Sequence, residues 1–202
     1  FYYWTIEQTT DDFVLPEGQA QDEARVNNYL MSHGMITSGN VPDTWWALYG
    51  AIGYINLFEQ QLEEQNPSFL TEADKSLYRA HAKFLKAYYY LRILQKFGPM
   101  AIVERYADPS TDKSSFPGRS HFDYCVEYIC KLLDDACADG GLPVANYNEQ
   151  SGYGKGNQVI CAALKSRLRL LAASPLWNGS FPFPQWQNTN FETPGYGKEL
   201  VS

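Results

Sequence analysis

Apolar residues recur at helical spacing in four stretches of the chain. In the first stretch the steps are 3, 4, 3 and 7 residues between Trp45, Leu48, Ile52, Ile55 and Leu62. This is the period of a helix that buries one stripe of its surface. It predicts a first helix over residues 43–64, which ends at Asn66–Ser68 because proline cannot continue a helix.

A second helix is predicted over residues 72–97. Thr71 and Asp74 have the spacing of a capping box, in which a hydroxyl and a carboxylate bind free amides at a helix start. Two neighbouring apolar stripes follow, and they consist of Leu77, Ala80, Phe84, Tyr88 and Leu91 and of Ala82, Leu85, Tyr89 and Ile93. We therefore expect burial on two sides of this helix, which ends at Phe97–Pro99.

The other two helices form a second, shorter pair. Residues 121–138 are predicted to form the third helix, with capping-box spacing at Ser120 and Asp123. The fourth follows a glycine-rich turn at Gly152–Gly156, and its apolar residues run from Ile160 to Ala172. Residues 100–103 are predicted to form a short extended piece, and Trp177–Tyr196 an aromatic and proline-rich tail.

This pattern predicts an all-α fold of two helical hairpins in series. Helices with two apolar sides need neighbours on both, as in helical-repeat arrays, but the period here is too long for a regular repeat. Residues 1–42 show no sustained period and are predicted to be loop-rich. A compact domain rarely opens with such a stretch, so we expect the sequence to be a piece of a larger protein.

Charge and hydropathy exclude two classes of function. The 202 residues carry a formal charge of −7, with 16 Lys and Arg against 23 Asp and Glu. This acidic balance argues against nucleic acid as a ligand. The apolar runs are short and interrupted by charge, which predicts no membrane-spanning helix. Any membrane anchor is expected to lie outside this sequence.

No constellation of catalytic or metal-binding residues is apparent. The cysteines, Cys125, Cys130, Cys137 and Cys161, lack CxxC spacing, so we expect buried free thiols rather than zinc ligands or a redox pair. Neighbouring acids on a helix point about 100° apart, so Glu63–Glu64 and Asp134–Asp135 are predicted to be solvated rather than a glycosidase pair. Gly152–Gly156 lacks phosphate-loop spacing. We predict no cofactor, no metal and no catalytic residue.

Aromatic residues in polar loops are the strongest functional signal in the composition. The chain has 15 Tyr, 11 Phe and 5 Trp, which is 15% of its residues. A sugar ring stacks its apolar face on Trp or Tyr while Asp and Asn bind its hydroxyls. Tyr3–Trp4 near Asp11–Asp12 suits such a ligand, and a peptide would also fit. The alternative is that the rings pack over the ends of helices.

Four segments resemble the SusD/RagB family in sequence order. Residues 80–91 and 96–98 are similar to its A-E-A-R-F-L-R-A-Y-Y-Y string, with His81 in place of Glu. Trp46 to Asn56 resembles its W-x-x-x-Y-x-x-I-x-x-x-N helix within one residue of spacing. Residues 129–136 resemble I-x-x-D-L-x-x-A, and residues 154–178 resemble the segment that ends in A-A-S-P-x-x-N, with Lys155 in place of Arg.

The resemblance implies a fold of irregular tetratricopeptide-like helical hairpins with long aromatic-rich loops. Residues 43–202 would be this scaffold, as the early helical half of one larger SusD-like domain, and residues 1–42 would carry ligand-binding loops. It also implies a surface-exposed outer-membrane lipoprotein without catalysis. Such a protein captures an oligosaccharide, or in some members a peptide, for a SusC-like TonB-dependent transporter. Its lipid anchor would lie outside this chain.

The predicted ligand-binding residues are Tyr3, Trp4, Asp11, Asp12 and Asn40. Two other classes of function remain open from the sequence. Helices with two apolar sides also suit a scaffold that binds only other proteins. A helical-barrel glycosidase would need two carboxylates about 5 to 10 Å apart in one cleft.

Overall fold

The computed structural model describes residues 30–37, 39–40, 44–108, 110–138, 140–145, 154–179 and 181–201. The chain divides into two units, Phe1–Thr44 and Trp45–Ser202. Within the first unit, the described backbone is helical at residues 30–32 and then turns.

Four helices dominate the described part of the second unit, and their bounds are α1 Trp45–Gln65, α2 Glu72–Phe97, α3 Phe122–Cys137 and α4 Gln158–Ala172. Each helix packs against the next one in sequence, and α2 also contacts α4. The residues described form no β-strand, only two isolated bridges in the C-terminal tail. The predicted all-α class and the two hairpins in series are thus confirmed.

The helix starts show which capping predictions were right. Thr71 Oγ1 accepts a hydrogen bond from the Asp74 amide at 3.1 Å, and Asp74 Oδ2 accepts one from the Thr71 amide at 3.0 Å, so this capping box is confirmed. The box predicted at Ser120 is wrong. The amide of Ser120 donates to the Met100 carbonyl at 2.8 Å, and His121 caps α3 instead.

The core lies between α2 and α3, and its fully buried side chains include Tyr90, Leu91, Ile93, Leu94, Phe122, Ile129 and Leu133. The two-sided burial predicted for α2 is therefore confirmed only in part. Both stripes contain buried residues, such as Ala80 and Ala82, but the larger side chains of Leu77, Leu85 and Tyr88 are exposed.

The aromatic tail packs on the helices. The ring of Trp177 stacks on Phe122 with a centroid distance of 4.2 Å and on Phe181 at 5.6 Å. The amide of Phe122 donates to the Leu200 carbonyl at 2.8 Å, and the amide of His121 donates to Thr193 Oγ1 at 2.9 Å. For these tail rings the alternative prediction, packing over helix ends, is the correct one.

Candidate functional site

Two tyrosines hold residues 101–107, a segment outside any helix or strand, against the first two helices. The hydroxyl of Tyr49 in α1 donates to the Ala101 carbonyl at 2.7 Å. The hydroxyl of Tyr90 in α2 donates to the Val103 carbonyl at 3.0 Å and accepts from the Val103 amide at 2.8 Å. Burial raises the pKa of both tyrosines, so both hydroxyls remain protonated donors at neutral pH.

Asn56 of α1 also binds this segment, further along the chain. Its Nδ2 donates to the carbonyls of Val103 and Arg105, at 2.9 and 3.1 Å. Side chains of α1 therefore bind the carbonyls of every second residue from Ala101 to Arg105, which is the spacing of carbonyls on one side of an extended chain. The Oδ1 atom of Asn56 is buried and accepts no hydrogen bond from the described residues.

Two clefts adjoin where α1 meets this segment, and both are lined by Asn56 and Arg105. The larger, of about 860 Å³, is also lined by Glu59, Gln60, Glu63, Glu64, Arg79, Lys83, Glu104 and Tyr106. The smaller, of about 390 Å³, is also lined by Trp45, Tyr49, Ile52, Gly53, Ala101, Val103, Ala107 and Phe116. We call the two clefts together the α1 trough.

The larger cleft is the charged end of the trough. Glu59 forms an ion pair with Lys86, whose side chain is only 5% exposed. A cation buried to this degree needs such a partner, so the pair fixes the carboxylate beside the cleft. Glu63 and Glu64 are exposed, as predicted for a solvated helix face, although both border this cleft.

The smaller cleft is the apolar end of the trough. The Trp45 ring lies 4.7 Å from that of Tyr49 and meets Phe97 edge-on at 5.2 Å. Across this cleft, the side chain of Phe116 is 44% exposed. An exposed ring beside hydrogen-bonding groups suits a ligand that has one apolar face and several hydroxyl groups.

Of the five predicted ligand-binding residues, only Asn40 lies within the described part of the chain. Its Oδ1 accepts from the Thr37 amide at 2.5 Å, and its Nδ2 donates to the Met35 carbonyl at 3.1 Å. The side chain of Asn40 therefore closes a turn in its own loop. The other four, at positions 3, 4, 11 and 12, lie outside the described residues and stay predictions.

The α1 trough is absent from the sites predicted from the sequence, although a sequence motif lies along it. The tryptophan that fits the W-x-x-x-Y-x-x-I-x-x-x-N spacing is Trp45, which lines the smaller cleft with Tyr49, Ile52 and Asn56. The assignment to Trp46 is wrong, since that side chain is 72% exposed. These motif residues position the segment that forms one wall of the trough.

Across the described ranges, no three His, Cys, Asp or Glu side chains come together in a group that could hold a metal ion. None of the helices described is both long and apolar enough to cross a membrane.

Several solved structures are similar to this chain. A structure of BT4246 shares 46% identity over 82% of this chain with a TM-score of 0.74, and its selenomethionine form shares 41% over the whole chain with a TM-score of 0.80. This chain spans 27% and 31% of the lengths of those two chains. No family model matches the chain, and no curated protein sequence matches it either.

More distant structures carry descriptive names. A laminarin binding SusD-like protein is 19% identical over 75% of this chain and 31% of its own, with a TM-score of 0.61. Surface glycan-binding protein A from Bacteroides fluxus is 22% identical over 71% of this chain and 29% of its own, with a TM-score of 0.56. At this level of identity the likeness shows the fold.

The four helices and these structural matches together identify the fold of the chain. The chain has the all-α fold of SusD-like proteins. The resemblance that the sequence motifs indicated is thereby confirmed at the level of the fold.

Proposed function

We propose that this chain is part of a non-catalytic surface glycan-binding protein. The observation that carries the proposal is the α1 trough on a SusD-like fold, where the exposed ring of Phe116 adjoins a cleft of polar and charged side chains. The names of two structural relatives, a laminarin binding SusD-like protein and a surface glycan-binding protein, support the same ligand class.

Oligosaccharide chemistry fits the two ends of the trough. A pyranose ring has an apolar face of C–H groups that packs on an aromatic ring, as Phe116 offers at one end. Its hydroxyls both donate and accept hydrogen bonds. Glu104 and Arg105 provide an acceptor and a donor for them beside the larger cleft.

The cellular role we propose is nutrient uptake. The full protein would be a lipoprotein on the outer membrane that delivers oligosaccharide to a SusC-like TonB-dependent transporter. Tyr3, Trp4, Asp11 and Asp12, in the predicted loops of residues 1–42, would form a ligand site of their own. The lipid anchor and the transporter contact rest on the family resemblance alone.

Calorimetric titration with laminarin and a panel of other soluble glycans tests the proposal. We expect saturable binding of at least one glycan, weakened about 10-fold by Phe116→Ala through the loss of one stacking contact. Phe69→Ala is the matched control, because Phe69 is 84% exposed and lies outside both clefts. Trp4→Ala, measured in parallel, tests the predicted loop site.

The outcomes separate the site from the function. If Trp4→Ala abolishes binding and Phe116→Ala does not weaken it, the glycan site lies in the N-terminal loops rather than in the trough. If no glycan binds, or if prolonged incubation releases new reducing ends, the non-catalytic glycan proposal is wrong.

A peptide is the second candidate ligand, and the charge of the larger cleft favours it. Glutamates and basic side chains such as Arg79 and Lys83 line that cleft together. Such a surface can bind both ionic groups of a peptide. Titration with a mixture of tryptic peptides distinguishes the two. A heat of peptide binding that disappears at high salt would favour the peptide. The same heat should be lost in Arg79→Gln and retained in Phe116→Ala.

A further inference from the structure

Two cysteines far apart in the sequence meet between α3 and α4. Cys137 is the last residue of α3, and Cys161 lies in the first turn of α4. Their side chains are within hydrogen-bonding reach of one another. Cys161 is only 2% exposed, Cys137 is half-buried, and both thiols are free in this structure.

We propose that Cys137 and Cys161 form a disulfide bond that cross-links α3 to α4 under oxidising conditions. The oxidant is a small-molecule disulfide such as oxidised glutathione. One S–S bond forms between the cysteines, and the S–S bond of the oxidant breaks. The two electrons and two protons that the cysteines lose convert the oxidant into two thiols.

The difference in exposure sets the order of the two steps. Cys137 is the accessible thiol, so its thiolate attacks the oxidant and releases one small thiol. Cys161 then attacks the sulfur of Cys137 in the mixed disulfide and displaces the second small thiol.

The second of these steps is slow because Cys161 is a poor thiolate. Burial, assisted by the adjacent Cys137 thiol and the carboxylate of Asp134, raises the pKa of Cys161 to about 12. That carboxylate is itself paired with Lys165 of α4 at 2.6 Å.

Closing the bond brings the two sulfur atoms to about 2 Å, with the Cα atoms within about 7 Å of each other. The backbone after Cys137 leaves the helix at once, since Ala138 is extended, so the cysteine can shift without breaking a helical turn. Nearby, the amide of Leu142 donates to the Ala136 carbonyl at 2.8 Å, which holds the helix at the residue before Cys137.

The remaining two cysteines are natural controls. Cys125 is buried and its thiol donates to the Ser120 carbonyl at 3.5 Å, and burial raises its pKa to about 12. Cys130 also lies in α3, half-buried and two turns before Cys137. Among the contacts of the described residues, neither Cys125 nor Cys130 touches another cysteine.

The test incubates the full chain with oxidised glutathione at pH 8 and follows intact mass, peptide maps and thermal unfolding. We expect the loss of two hydrogen atoms, a Cys137–Cys161 cross-linked peptide, and a Tm raised by about 5 °C. In Cys125→Ser and Cys130→Ser, the mass loss on oxidation, the cross-linked peptide and the rise in Tm on oxidation should all persist. Cys137→Ser should abolish the cross-link, and because that position is half-exposed the variant tests the proposal even if Cys161→Ser does not fold.

Three outcomes would overturn the proposal. They are an unchanged mass, a stable glutathione adduct on Cys137, and a cross-link that persists in Cys137→Ser. None of these readouts depends on glycan binding, so the disulfide proposal and the proposed function stand or fall separately.

Discussion

Arg119 contacts both backbone carbonyls and aromatic rings, including the ring of Trp45, which lines the trough. Its Nη1 donates to the carbonyls of Phe97 and Pro99, at 3.1 and 2.6 Å. Its guanidinium lies 4.7 Å above the ring of Trp45 and 5.7 Å from that of Trp186. Phe97 ends α2, where carbonyls lack helical partners and the helix dipole favours a cation. One residue thus joins the end of a helix to two aromatic rings.

Replacing Arg119 with lysine should destabilise the protein even though the charge is kept. The ammonium group cannot reproduce the planar stacking and the two directed hydrogen bonds together. We expect Arg119→Lys to lower the free energy of unfolding by about 2 kcal/mol, measured by urea denaturation. Arg79→Lys, at an exposed position, is the control and should change it by less than about 0.5 kcal/mol. Equal urea midpoints for the two variants would contradict the role given to Arg119.

A second residue-scale prediction concerns acid stability. The buried ring of His121 stacks on Tyr196, and its Nδ1 accepts from the Asp123 amide at 3.1 Å, which requires a neutral ring. Burial lowers the pKa of His121 below its usual value and outweighs the opposing carboxylates of Asp123 and Glu199. The unfolded chain therefore binds more protons, so stability should fall as the pH drops through about 6.5 and below.

His121→Asn isolates this titration from that of the carboxylates. Asparagine is a good N-cap and does not titrate, so it keeps an acceptor for the Asp123 amide. We expect a smaller loss of stability between pH 7 and pH 5 in the variant than in the wild-type chain. Identical losses in urea unfolding at the two pH values would show that His121 does not contribute.

At the scale of elements, helix formation was largely predictable because it is governed by local periodicity and local caps. The first predicted helix, residues 43–64, is observed as Trp45–Gln65, and the second has the predicted bounds. The errors arose where tertiary contacts decide. His121 rather than Ser120 caps α3, and the amide of Ser120 donates to the Met100 carbonyl. Trp45 rather than Trp46 fits the motif spacing and packs against the core.

The capping box of α2 offers an element-scale test. Thr71 accepts from the Asp74 amide and donates its hydroxyl hydrogen to Asp74 Oδ2 at 2.6 Å. We expect Thr71→Ala to lower the free energy of unfolding by about 1 kcal/mol, since an amide in the first turn loses its partner. Ser68→Ala, in the preceding loop, serves as control and should have almost no effect. A Thr71→Ala curve that overlays the wild-type curve would rule out the contribution of the box.

At the scale of the whole second unit, the aromatic tail was the part that the sequence could not place. Trp177 stacks on Phe122, which lies 55 positions earlier in the sequence. The local spacing of apolar residues cannot predict a contact at that separation. A Cβ atom on Gly98 would lie 2.9 Å from the Trp177 ring, and its φ of +68° also favours glycine. The trough was missed for the same reason, since its walls come from segments about 50 residues apart in the chain.

This packing predicts that the tail unfolds together with the helices of its unit. Trp177→Ala removes the ring that stacks between Phe122 and Phe181, so the free energy of unfolding should fall by about 3 kcal/mol. The loss should appear as one cooperative transition, seen alike by far-UV circular dichroism and by tryptophan fluorescence. Phe183→Ala is the control, because that ring is 58% exposed. A fluorescence transition that precedes the loss of helix in the wild-type chain would mean that the tail is an independent, weakly held layer.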